Sequence, residues 1–130
     1  MSEFKSILPV LRVADMERSV DFYTRVLGFR SCWRSPGDGD GENCMIQSGR
    51  VEVLLSTGSH LGKAPGFAGT LYFNMDGVAD FYARVKDQVE IAWPLENMEY
   101  GTREFGIHDP DGYLLAFSEE RSDGGRELPP

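Results

Sequence analysis

A chain of 130 residues with 41% apolar and 26% charged residues suits a single domain that buries a real core without staples. Its net charge of -8 disfavours nucleic acid and anionic membrane surfaces, which are gripped by basic side chains; it would draw cations, or simply keep the protein soluble. No apolar run approaches the roughly 18 residues of a membrane span, and residues 1–6 lack a basic-then-apolar leader pattern, so no membrane contact and a cytoplasmic location are expected.

Residues 7–13 read as a strand whose apolar side chains favour odd positions. Asp15 is a candidate N-cap, Glu17 suits the positive end of a helix, and Met16, Tyr23, Val26 and Leu27 recur at helical spacing up to Gly28, a natural stop. Short strands are predicted at 29–34 and 43–47, joined by a Pro- and Gly-rich loop. In that loop Asp38, Asp40 and Glu42 have calcium-loop spacing, but the sixth position is Asn43 instead of Gly and the twelfth is Gly49 instead of Glu, so calcium is not expected. A strand at 51–57 completes a β-α-β-β-β unit, and 58–68 is a glycine-rich linker that would permit exchange of halves between subunits.

The second half repeats that order: a strand at 69–75, a helix capped by Asp76 with Val78, Phe81, Tyr82 and Val85 on its inner stripe, and a strand at 89–95 interrupted late by Pro94. An acidic loop around Tyr100-Gly101 leads into a hairpin, 103–108 and 113–119, across Asp109-Pro110-Asp111-Gly112. Residues 121–130 are polar and Gly/Pro-rich, a frayed tail. The repetition is literal in places. Asp80-Phe81-Tyr82-Ala83-Arg84-Val85 matches Asp21-Phe22-Tyr23-Thr24-Arg25-Val26 at five of six positions, 59 residues on, and residues 8–13 and 47–57 fall on 70–75 and 109–119 at an offset of 62. The chain is therefore one unit made twice, about 6–57 and about 69–119, within a domain spanning 1–120.

Strand alternation sorts the side chains into faces. Odd positions such as Leu11, Val13, Val53, Leu55, Phe73 and Leu115 are apolar and belong under the helices. Even positions mix apolar floor (Leu8, Val10, Leu54, Leu114) with Arg12, Glu52, Tyr72 and Asn74, the composition of a small-molecule cup. Arg12 and Glu52 could pair there to orient a ligand, or form an ordinary ion pair. Cys32 and Cys44 read as free thiols, His60 and His108 as surface or packing residues, and Trp93 as a side chain buried against its neighbours or, alternatively, lining the edge of the cup.

The opening Leu8-Pro9-Val10-Leu11-Arg12-Val13-Ala14-Asp15, then Phe22-Tyr23, Leu27-Gly28-Phe29, and Tyr100-Gly101-Thr102-Arg103-Glu104-Phe105 running into Asp109-Pro110-Asp111-Gly112, resemble the vicinal oxygen chelate superfamily of glyoxalases, extradiol dioxygenases and bleomycin-resistance proteins. The resemblance implies an α+β fold in which two tandem βαβββ modules form a cupped eight-stranded mixed sheet with helices on the convex face. It also implies where a metal would sit in the family's metalloenzymes: Leu8, Leu54, Thr70 and Ala116 here, none of them a good ligand, so no metal and no cofactor are expected. The metal-free branch resembles bleomycin-resistance proteins, dimers that sequester a flat-ringed cationic drug, and in that branch Trp33 and Tyr100 align with aromatics that stack on the ligand.

The expected function is metal-independent binding of an aromatic ligand, cationic or neutral, in a cup at or near the interface of a homodimer whose modules pair within a chain or are exchanged between chains. Candidate contacts are Trp33, Tyr100, Tyr72, Arg12, Glu52 and Asn74. The alternative is a glyoxalase-like lyase or isomerase, or a dioxygenase-related enzyme, using Tyr72, Glu52 or Arg12.

Overall fold

The computed structural model describes residues 3–35, 41–62, 64–67 and 69–121. Its elements are β1 (Val10–Arg12), α1 (Met16–Asp21) continued by a π-helical turn (Phe22–Val26), β2 (Arg30–Arg34), β3 (Asn43–Ser48), β4 (Val51–Ser56), a short 3-10 turn (Ser59–Leu61), β5 (Thr70–Asn74), α2 (Val78–Val85), β6 (Glu90–Asn97), β7 (Thr102–His108) and β8 (Leu114–Glu120). The α+β pattern of two βαβββ modules is present, as two four-stranded mixed sheets ordered β1-β4-β3-β2 and β5-β8-β7-β6. The chain divides into two compact units, Met1–Gly66 and Phe67–Pro130. Strand register carries the duplication to single residues: Val10 and Arg12 pair with Leu54 and Ser56, and 62 positions on Tyr72 and Asn74 pair with Ala116 and Ser118.

In the first unit the Asp15 carboxylate accepts the Arg18 amide at 3.1 Å, so the expected cap forms. The helix then widens. The Leu27 amide reaches back five residues to the Phe22 carbonyl at 3.1 Å, and the Thr24 hydroxyl donates to the Val20 carbonyl at 2.6 Å, a side-chain bond that loosens a helical turn. Tyr23, Val26 and Leu27 are still buried, as are Leu11, Val13, Val53 and Leu55 of the same unit, and Gly28 ends the run at φ 87°.

The first strand is shorter than the sequence predicts. Residues 7–13 were expected to pair, but β1 covers Val10–Arg12, and Ile7 is 88% exposed instead of lying under the helix. Pro9 explains the boundary: its carbonyl still accepts the Leu54 amide at 2.9 Å, but it has no N–H with which to extend the ladder. Asp38 and Asp40 of the calcium-like spacing, and residues 122–130 of the expected tail, lie outside the described residues.

In the second unit the cap is not Asp76. Gly77 occupies the N-cap position at φ 75°, a left-handed turn that glycine adopts freely, with no side-chain cap of its own. The Gly77 and Val78 amides instead donate to the two carboxylate oxygens of Glu119, at 3.0 and 3.1 Å, joining the helix start to the end of β8. Those two bonds hold the Glu119 carboxyl below the usual carboxylate range. The core here is aromatic: Phe81 meets Phe117 edge-on at 5.0 Å, and Phe105 lies between Tyr82, edge-on at 4.9 Å, and Phe117, tilted at 5.2 Å. β6 runs on to Asn97, two residues past the expected end; as the edge strand it tolerates Pro94 and two breaks in register. In the final turn the Asp109 carboxylate accepts the Asp111 and Tyr113 amides at 2.8 and 2.9 Å.

Candidate ligand-binding site

Three strands of the second unit lay out a site in rows. Across β5, β8 and β7 the register aligns Asn74, Ser118 and Glu104, and one pair of residues along, Tyr72, Ala116 and Gly106, with Trp93 of β6 opposite Gly106. Laterally paired residues share a face, so both rows project to one side of the sheet. The opposite side carries Phe105, Ile107, Leu115 and Phe117, buried toward α2.

Glu104 is 1% exposed, and three hydroxyls converge on it. Tyr100 donates to Oε1 at 2.6 Å, Thr102 to Oε1 at 3.1 Å and Tyr72 to Oε2 at 3.3 Å. A turn fixes Tyr100 above the carboxylate: the Met98 amide donates to the Thr102 carbonyl at 2.7 Å, and the Gly101 amide to the Met98 carbonyl at 3.1 Å. Burial, then its bond to Glu104, raise the Tyr100 phenol well above the usual tyrosine range, so at neutral pH it serves as a donor and not as a base. Tyr72, Asn74, Tyr100, Thr102, Glu104 and Ser118 line a cleft of about 250 Å³. Tyr72 and Tyr100 remain 52% and 45% exposed while their hydroxyls are tied down.

Of the six candidate contacts, Tyr72, Asn74 and Tyr100 come together in this cleft, and Trp33, Arg12 and Glu52 belong to the first unit. Trp33 stands 54% exposed on the edge strand β2, whose next residue, Arg34, is tied to Glu17 and Glu42. The Arg12 guanidinium donates to the Gly62 carbonyl at 3.2 Å and to the Val13 carbonyl. Glu52 lies on β4 four residues before Ser56, the neighbour of Arg12, so about 13 Å of strand separates the backbones of the two residues expected to pair.

Glu104 and Thr102 are the residues the sequence reading missed. Their signal is the alternation of β7, where Thr102, Glu104 and Gly106 against Arg103, Phe105 and Ile107 puts a carboxylate on the cleft side. Trp93 packs its ring on Gly106, where a Cβ would stand 2.6 Å from ring carbons, and its Nε1 is buried with no hydrogen-bond partner among the described residues.

The four places where the resemblance would put metal ligands do not fit one. Leu54 and Ala116 are aliphatic, Thr70 offers a single hydroxyl, and Leu8 lies outside any strand. Among the described residues no three His, Cys, Asp or Glu side chains converge. The described histidine side chain, His108, is turned to the Gly112 carbonyl at 3.4 Å.

Comparison with known proteins accords with this plan. Among curated sequences the chain is 27% identical to a lactoylglutathione lyase of Escherichia coli O157:H7 over 92% of its own length and 94% of the relative. Among solved structures it resembles TnmS3, an antibiotic binding protein from Streptomyces sp. CB03234, with a TM-score of 0.76 at 22% identity, covering 92% of this chain and 98% of that one. TioX from Micromonospora sp. ML1 gives a TM-score of 0.74 at 22% identity, covering 90% and 99%. At such identities these structures share the fold alone. Residues 6–117 match the family model, and the protein belongs to the Glyoxalase/Bleomycin resistance protein/Dioxygenase superfamily.

Proposed function

We propose that this protein binds an aromatic small molecule without a metal and without chemistry, holding it in the cleft of the second unit against Tyr72 and Tyr100. The observation that carries this reading is the pair of half-exposed tyrosines whose hydroxyls are both committed to the buried Glu104. Half-exposed rings fixed at one end suit stacking, which contributes on the order of 1 kcal/mol each. The same commitment argues against catalysis: a phenol raised above its usual range is a poor base at neutral pH, and the family's coordination positions carry side chains that would not polarise a carbonyl. An antibiotic binding protein among the structural relatives shows that the fold can hold a small molecule.

Titration with a panel of flat aromatic compounds tests the reading. Saturable quenching of tryptophan emission is expected, with weaker binding after Tyr72→Ala. Trp33→Ala in the same titration asks whether the first unit's exposed indole takes part, as do Arg12→Ala and Glu52→Ala for their side chains. Unchanged emission and melting temperature across the panel would discard the proposal. The reading includes a homodimer, since β1, β2, β5 and β6 are edge strands and Ile7, Leu8 and Val10 lie exposed beside β1. Light scattering at micromolar concentration should give twice the chain mass, and a monomer would remove that part.

The lactoylglutathione lyase relative favours a second reading, a glyoxalase-like enzyme with unusual ligands. It requires near-stoichiometric transition metal after chelator-free purification, and formation of lactoylglutathione from methylglyoxal and glutathione. Absence of both would leave binding as the function.

A further inference from the structure

We infer that Glu104 is a specificity residue for a positively charged nitrogen, so that the ligand carries a protonated amine or amidine on its flat ring. The inference rests on the binding reading above and deepens it. Burying a carboxylate is costly unless its charge is met, and buried carboxylates are ordinarily paired with a cation. Glu104 is 1% exposed, yet its three partners are the neutral hydroxyls of Tyr72, Tyr100 and Thr102, and among the described residues no Lys or Arg forms an ion pair with it. A carboxylate offers about four acceptor directions. Oε1 uses two, and Oε2 holds only the longest bond, 3.3 Å, leaving one direction on a side chain that lines the cleft. The tyrosine rings beside it would meet the same charge with their π faces.

The fold by itself does not call for an acid there. In the first sheet the residue opposite Ser56 is Asn43, as the residue opposite Ser118 is Glu104. One copy of the unit thus carries a half-buried neutral amide at the place where the other keeps a buried carboxylate that lines a cleft.

The test uses three ligands with the same ring system: 9-aminoacridine, a cation at neutral pH; acridine, neutral; and acridine-9-carboxylate, an anion. Binding is measured at ~0.5 M salt, where the field of the acidic surface is screened and a buried contact is not. A charge-assisted hydrogen bond should make the cation bind wild-type protein about tenfold or more tighter than acridine, and the anion at least about tenfold weaker. In Glu104→Gln the cation-to-neutral ratio should fall to within about threefold. Equal binding of all three by wild type, or a preference that survives Glu104→Gln, would overturn the anchor and leave the binding reading standing. Binding of none would overturn both. If Glu104→Gln does not fold, equal binding of the three ligands by wild type still overturns the anchor, and Glu104→Asp, which keeps the charge but draws it back from the cleft, should lower the cation-to-neutral ratio; an unchanged ratio there would also overturn it.

Discussion

In the first sheet Trp33 of β2 faces Met45, which faces Leu54; in the second, Trp93 of β6 faces Gly106, which faces Ala116. The same row is filled with long side chains in one unit and emptied in the other. Trp33 is left 54% exposed over the filled row, whereas Trp93 sinks onto the bare backbone of Gly106. The next row diverges in charge: Arg12, Ser56 and Asn43 against Asn74, Ser118 and Glu104. A duplicated backbone therefore does not duplicate the site. The second unit has the small residues and the carboxylate, and the cleft lies there.

Restoring bulk to the second unit should have the largest effect. Gly106→Val drives a side chain into the Trp93 ring, and about 3 kcal/mol of stability should be lost in urea denaturation, with a changed Trp93 emission; a loss under about 1 kcal/mol would mean the ring moves aside freely. Thr102→Val is next. It keeps shape but leaves Glu104 one donor short at a position 2% exposed, so about 2 kcal/mol should be lost, and a neutral outcome would show that the carboxylate does not depend on the hydroxyl set.

The helix starts give smaller effects of two kinds. Asp15→Ala removes a local cap and should cost about 1 kcal/mol by the same denaturation measurement. Glu119→Gln removes a cap supplied from β8, and its effect should depend on pH. Because the folded carboxyl is held below its usual range, its contribution is fully present above that range and is lost as pH falls through the folded value. The melting-temperature gap between wild type and Glu119→Gln should therefore be widest at neutral pH and close in acid. A gap that stayed constant with pH would assign the effect to something other than the charge.

Much of the scaffold was legible because backbone periodicity survives divergence. The offset of 62 read from residues 8–13 and 47–57 is the offset of the pairing register. What was not legible depended on atoms that pattern ignores. Pro9 lacks the donor that would have kept residues 7–8 in β1, and the left-handed Gly77 turns the α2 amides toward Glu119 instead of Asp76. Within the six-residue echo the single difference, Thr24 against Ala83, accompanies a π-helical turn in one unit and a regular α-helix in the other. In the candidate site, Tyr72, Asn74 and Tyr100 were readable from strand alternation and the family resemblance, while Glu104 was hidden inside a motif that had been read for the fold.

The most direct test of a site confined to the second unit is an amide chemical-shift titration of the whole protein with 9-aminoacridine. The account predicts saturable perturbations concentrated on Tyr72, Asn74, Tyr100, Thr102, Glu104 and Ser118, with the matching residues Val10, Arg12, Asn43 and Ser56 nearly still. Perturbations centred on those first-unit residues instead, or spread evenly over both sheets, would contradict it.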